Sequence, residues 1–270
     1  MSNDSGLLFS EQLFGLALIA FAALLVLEKF RPYRVFPTHV YKESVVTNTT
    51  AFLVNNLILT VLRASSLFFV AQEFSSHGLL SGLDEGPLKW LITFVLFDFA
   101  IYVWHVAGHK YEFLWRFHKV HHSDKTLNVS TGFRFHVIDL LLEIVYKCLF
   151  VVIVGASAYL ILCIEIIELF FVFFHHVNIK VPNEEMISKV IITPSLHRAH
   201  HSTLRKEHDS NYGIVLSAWD KLFGTQQDVV PENIGLDLIE ANNFVQLFSL
   251  AFITENKIRR LLSWIPKGKK

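Results

Sequence analysis

Twelve of the fourteen histidines in this 270-residue chain fall between positions 105 and 208. Eight of them form three spaced groups: His105-x-x-x-His109, His118-x-x-His121-His122 and His197-x-x-His200-His201. On an α-helix, positions i, i+3 and i+4 share a face, so each group is expected to aim its imidazoles at one point. A lone histidine on an apolar face is usually a satisfied core residue. Eight in repeated spacings point instead to metal. Neutral imidazole binds zinc, copper, iron or nickel, whereas magnesium and calcium want oxygen ligands. Eight or more ligands exceed what one ion of four to six coordination accepts, so two ions are expected. A soluble di-iron carboxylate bundle would carry paired Glu-x-x-His motifs. None occurs here, and neither Glu112 nor Glu207 has the partner such a motif needs. Spacing leaves redox-inactive zinc open, but a dinuclear, all-histidine membrane site suits iron-based oxygen chemistry best.

The elements that must position these residues are strongly apolar. Hydrophobic residues make up 52% of the chain and charged residues 18%, with 25 phenylalanines and a mean hydropathy of +0.42. Soluble domains carry about 25% charged residues, so the chain reads as an integral membrane helix bundle, all-α. The 24 basic and 24 acidic residues balance, which gives no support to nucleic-acid binding. Cys148 and Cys163 lie in apolar segments and read as buried thiols rather than a disulfide.

Three spans are expected, over 7–29, 50–72 and 88–110. The first has no basic residue ahead of it and no small-residue cleavage site, so it reads as a retained helix rather than a signal peptide. Arg63, within the second, must snorkel, pair or face the interior, and Asp98 lies inside the third. Asp98 shares nearly one helix face with His105 and His109, which suggests a box-three histidine or Arg63 as its partner, or a structural ion pair. The apolar block 137–177 is too long for one helix and suits a hairpin bending at Gly155-Ala156-Ser157. Residues 243–265 have the spacing of a helix, either lying in the membrane interface or packed on the protein. No linker or repeat divides the chain, so 1–270 reads as one domain. The connection 30–49 is basic and 73–88 acidic. By the positive-inside rule the histidine groups then lie on the cytoplasmic side, as a di-metal cap.

Here the motifs carry a resemblance. His105-x-x-x-His109, the run Arg116 to Ser123 (RFHKVHHS) and the run His197 to Ser202 (HRAHHS) resemble the three histidine boxes of the fatty acid hydroxylase/sterol desaturase superfamily. Ser130-Thr131, Asn211-Tyr212-Gly213, Trp219-Asp220 and Phe223-Gly224-Thr225 agree with it, so the likeness covers about 90–226. The resemblance implies a membrane non-haem di-iron enzyme that uses O2 and external electrons to hydroxylate or desaturate a membrane lipid. It adds two ligands. His176, in Phe174-x-His176-Val177-Asn178, resembles a His-x-Asn element, with His175 beside it as a supporting residue. His136, in Arg134-Phe135-His136, resembles an Arg-x-His-Pro element, although Val137 replaces the proline. Asp139 stands where glutamate is expected, and Val106 replaces the arginine common after the first box histidine. His208 matches no motif and reads as solvated surface.

With no haem, nicotinamide or iron–sulfur motif in the chain, electrons are expected from a reductase with a cytochrome b5-like or ferredoxin-like carrier. Such a carrier is expected to dock near Lys119, Lys125 and Arg134. The membrane is expected to be a bacterial inner membrane or the endoplasmic reticulum. Competing readings are a zinc-dependent membrane hydrolase or metal-binding membrane protein using the same histidines, with zinc also a substitute for iron in purified protein. A b-type cytochrome would instead place isolated histidines on different spans.

Overall fold

The computed structural model describes residues 3–62, 67–237 and 241–253. Among these the chain is helical without strands. Two long helices open it, α1 (Asn3–Phe30) and α2 (Thr38–Val61), followed by the short α3 (Leu67–Phe74) and the long α4 (Pro87–Lys110). The brief α5 (Glu112–His118) turns the chain toward two 3-10 turns, at His121–Ser123 and Val129–Phe133. Then come the two arms of a hairpin, α6 (Val137–Val154) and α7 (Ala158–His176). Four short helices close over the end where α4 and α7 finish: α8 (Glu184–Ile187), α9 (Pro194–His200), α10 (Arg205–His208) and α11 (Ala218–Leu222). The last described helix is α12 (Phe244–Leu250).

Among the described residues α2, α4 and α7 are long and apolar enough to cross a membrane. The second span therefore lies at 38–61 rather than 50–72, with α3 a separate piece; Arg63 falls outside the described residues. The shift has a physical cause. Thr47, Asn48, Ala51 and Asn55 are buried along one face of α2, while Leu53, Leu57 and Val61 are 62–72% exposed on the other. The helix is inside-out, with polar groups toward protein and apolar groups toward lipid, so its polar half does not read as a span.

The expected hairpin is present. Gly155 ends α6 in the left-handed region (φ 72), and the turn accepts backbone bonds from the loop before α4, Leu79 N–H to Ile153 O at 2.9 Å and Leu80 N–H to Val154 O at 2.8 Å. That loop leads into the start of α4, whereas His136, which caps α6, and His176, the last residue of α7, mark the other ends of the two arms. Both arms thus traverse the bundle from the histidine end to the opposite end. At 18 and 19 residues each is about 27–29 Å long, but of the two arms α7 alone is apolar enough to cross a membrane, Asp139, Glu143 and Lys147 interrupting α6. The basic connection after α1 lies at the histidine end, where Tyr33 N–H donates to Asn178 O at 2.7 Å.

Glu28 ties that end together. Buried in the last turn of α1, it accepts from Val129 N–H and Asn178 N–H, both at 2.9 Å, and from the Tyr41 hydroxyl at 2.5 Å. α12 packs on the protein through Leu247, Leu250 and Ala251 against Ala51, Phe117 and Val120; the rest of the helix expected over 243–265 lies outside the described residues. A methyl group at Gly155 would meet the His77 carbonyl oxygen, whereas at Gly224, also left-handed (φ 68), it would meet nothing within 4 Å. Gly155→Ala should therefore lower the thermal midpoint in detergent well beyond Gly224→Ala, which pays only the backbone term of about 1–2 kcal/mol. Equal losses in the two variants would refute this packing of the hairpin tip.

Candidate metal centre

The histidines converge where α4, α7 and α9 end. α4 delivers His105 and His109 from its last turns. α5 and the following 3-10 turn deliver His118, His121 and His122, α7 ends on His176, and α9 carries His197 and His200 with His201 capping it. All nine are buried.

They sort into two donor sets, His105, His109, His118, His122 and His200 in one, His121, His176, His197 and His201 in the other. The ligand atoms of each set lie within 4.8 Å of one another. Box one aims at a single point, as expected. Boxes two and three do not: each straddles the pair. His118 and His122 serve the first set while His121 serves the second, and His197 and His201 serve the second while His200 serves the first. Residues i and i+4 stay together on one side of a turn, and the histidine between them leans to the other site. The sets adjoin, with the His122 and His201 rings stacked at 4.4 Å.

In five of the nine rings a hydrogen bond fixes which nitrogen is free. His105 Nδ1 lies 2.7 Å from Tyr212 O, His200 Nδ1 2.6 Å from Ser210 O and His176 Nδ1 2.6 Å from Val172 O. A carbonyl can only accept, so each Nδ1 carries the proton and each Nε2 presents a lone pair. Carboxylates do the same for His118 (Asp139, 3.2 Å) and His109 (Asp209, 3.4 Å). This is the outer-shell pattern that orients metal-binding histidines. The Nε2 atoms of His105, His109, His118 and His200 are buried with no hydrogen-bond partner, as are both nitrogens of His122. In the second set His176 Nε2 lies 3.0 Å from both His121 Nε2 and His197 Nε2, and His197 Nε2 lies 3.1 Å from His201 Nε2. Two nitrogens each about 2.1 Å from one ion and at right angles stand about 3.0 Å apart. Burial, followed by mutual repulsion, pushes His121, His122, His197 and His201 well below the ordinary imidazole value; His200 is lowered by burial and by His105. Neutral rings with converging lone pairs fit a metal cation, and their all-nitrogen character suits a transition metal rather than magnesium or calcium.

Several sequence expectations change here. His136 belongs to neither set. Its Nδ1 accepts from Ile138 N–H at 3.2 Å, capping α6, so its lone pair is committed, and its ring packs on Phe117 and Phe248. His208 is buried rather than solvated. It stacks on Trp115 and joins His109 and Asp209 in a third close group; a single histidine after box three carries no signal of that return. His175 is buried with both nitrogens unpartnered and its ring 3.9 Å from His197. Among the described residues Asp98 pairs with no histidine, and Arg63, its other expected partner, lies outside them. Asp98 accepts from Val215 N–H (3.1 Å), Leu216 N–H (3.3 Å) and the Trp219 indole (2.8 Å), anchoring the loop whose Tyr212 carbonyl holds His105. Lys119 and Arg134 do not form a docking patch, because both are buried. Arg134 bonds Ser123 Oγ, Asn48 Oδ1 and Ala241 O, and Lys119 donates to Ile253 O.

A cavity of about 410 Å3 opens from the imidazoles between α2, α4, α6 and α7. His105, His118, His121, His176 and His197 line its inner end, and Phe52, Leu59, Ile101, Leu169 and Val172 are among its apolar walls.

The fold and site thus define a helical membrane protein with two adjoining, buried, all-imidazole donor sets. The fatty acid hydroxylase family model matches residues 90–225, half of the chain, and the chain belongs to that family. It is 34% identical over 158 residues to ornithine lipid hydroxylase OlsE of Rhizobium tropici, covering 58% of this chain and 47% of that protein. It is 30% identical over 171 residues to human alkylglycerol monooxygenase (60% and 38%) and 30% over 146 residues to cholesterol 25-hydroxylase of Rattus norvegicus (50% and 45%). The chain thus spans less than half the length of these relatives. No solved structure matches it.

Two outcomes follow from the geometry. His122→Ala and His197→Ala, one from each set, should each lower bound metal from about two ions to about one, read by elemental analysis, with His136→Ala unchanged. Loss of both ions in His136→Ala alone would refute the sorting. In metal-free protein, the unfolded chain binds more protons than the fold once pH drops below the ordinary 6.5 of imidazole, so stability must fall as pH falls. The thermal midpoint of the metal-free form should therefore drop between about pH 7 and pH 5; a rise across that interval would contradict neutral burial.

Proposed function

We propose that the chain is an O2-dependent di-iron oxidoreductase that hydroxylates a membrane lipid. One observation carries the reading: unpartnered, buried imidazole nitrogens in two adjoining sets face an apolar cavity large enough for a hydrocarbon chain. His105, His109, His118, His122 and His200 would hold one iron, and His121, His176, His197 and His201 the other. Bound iron supplies the one-electron chemistry with O2 that imidazoles alone cannot.

The protein's own part is positional. Phe52, Leu59, Leu169 and Val172 lay an aliphatic C–H beside the donor sets and keep water away from it. Asp139, Asp209 and the Tyr212, Ser210 and Val172 carbonyls hold ring orientation. The balance is R–H + O2 + 2e⁻ + 2H⁺ → R–OH + H2O, so an external reductase with a small cytochrome b5-like or ferredoxin-like carrier supplies the electrons. The relatives named for lipid hydroxylation and monooxygenation favour hydroxylation over desaturation. The basic connection at the histidine end supports a cytoplasmic centre, in a bacterial inner membrane or endoplasmic reticulum. The chain works as one domain over 1–270.

Lipid extracts from cells with and without the protein, compared by mass spectrometry, should gain a species about 16 mass units heavier, absent with His122→Ala. A purified protein that holds only zinc after iron supplementation and changes no lipid mass would overturn the proposal.

A further inference from the structure

The cavity has one charged wall. Lys147 of α6 lies 2.9 Å from Glu143, one turn earlier on the same helix, and 2.7 Å from Glu165 and 3.4 Å from Glu168 of α7. All four line the cavity that ends at the imidazoles. Lys147, Glu143 and Glu165 also line a second cavity of about 430 Å3 toward Phe68 and Leu162, so the charged group stands where the two meet. Pinning the two hairpin arms together needs one carboxylate for one ammonium. Here there are three.

The surplus is not absorbed by other side chains. Among the described residues lining either cavity, Lys147 is the only lysine or arginine. The side-chain amides of Asn55 and Asn56 donate to backbone carbonyls, Phe135 O and Phe52 O. Glu168 is 5% exposed, and its Oε1 is buried without a partner. A buried carboxylate oxygen without a donor is costly, and in a membrane bundle such groups face a functional cavity. A cation entering the cavity would complete the set.

From the three carboxyl groups gathered on one ammonium and the unpartnered Glu168 Oε1 we infer that the lipid taken by this cavity carries a cationic nitrogen, seated against Glu165 and Glu168 while its hydrocarbon reaches the donor sets. Glu168 precedes His176 by eight residues on α7, about 12 Å along the helix. The inference rests on the proposed lipid-hydroxylase reading and names its substrate class.

Binding tests it without turnover. Metal-free protein in uncharged detergent is titrated with a brominated long-chain alkylammonium and with the brominated alcohol of equal length. Trp104, which lines the cavity, reports by fluorescence quenching, and Trp104→Phe confirms the source of the signal. The ammonium should bind about tenfold tighter than the alcohol. Glu168→Gln should bring the two within about twofold, with alcohol binding unchanged. Glu165→Gln, at a more exposed position, should weaken the preference in the same direction and serves where Glu168→Gln fails to fold. Equal affinities in the unaltered protein, or a preference untouched by both substitutions, would overturn the inference. An ammonium preference in a protein that never hydroxylates lipid would spare this binding site and sink only the hydroxylase reading.

Discussion

Everything at the metal end follows from the burial of imidazoles whose lone pairs face one another. A buried polar group left without a partner costs about 1–3 kcal/mol, and here the unpartnered nitrogens are clustered, so each ring's neighbours add to the cost. Five of the nine rings, His105, His109, His118, His176 and His200, are held against turning. Tyr212 O, Ser210 O, Val172 O, Asp139 and Asp209 hold the outward nitrogens. The bundle is thus pre-organised for a cation, and an ion bound there would stabilise the fold.

Two of the groups that hold outer nitrogens, Tyr212 O and Ser210 O, lie on irregular backbone, and polar residues buried in the helices fix such backbone in place. Asp98 holds the 215–219 segment, which places Tyr212 over His105. Asp220 accepts from Tyr212 N–H and Gly213 N–H at 2.8 and 2.9 Å and fixes the same turn from the other side. Glu28 clamps the 3-10 turn at 129 to the exit of α7 beside His176. Behind box two, Asp124 accepts from Asn48, Thr131 and Thr126. Burial alone would raise its pKa, but Arg134 and these donors outweigh burial and hold it below the ordinary carboxylate value. Non-helical backbone in a membrane protein persists where its groups are satisfied internally, and these acids satisfy it.

The sequence revealed what depends on local spacing. The three boxes, the hairpin bend at Gly155 and the α4 span were all legible because periodicity and breakers act over a few residues. What depends on packing was hidden. α2 was misplaced because Thr47, Asn48 and Asn55 are polar toward protein, and hydropathy cannot tell an inward polar face from a loop. Lys119 and Arg134 read as a surface patch because charge in a sequence carries no record of the Asn48, Ser123 and Ile253 groups that bury it. His136 matched a ligand motif but spends its lone pair on capping α6, while His208 matched nothing and lies against His109.

The division of boxes two and three between sites gives the x-x-His-His spacing its meaning. His121 and His122 are neighbours in the chain yet serve different sets, as do His200 and His201. Their ring centroids are 5.6 and 5.5 Å apart, so the spacing of the two sets is built into adjacent residues on two separate elements. Moving one set relative to the other would require both turns to unwind together. The i, i+4 pair supplies two imidazoles to one set from one face of a turn, and the histidine beside it reaches the other. A box with only i and i+4, such as His105 and His109, can serve a single set. One two-histidine box and two three-histidine boxes therefore provide eight imidazoles, five to one set and three to the other, and His176 from α7 supplies the fourth of the second.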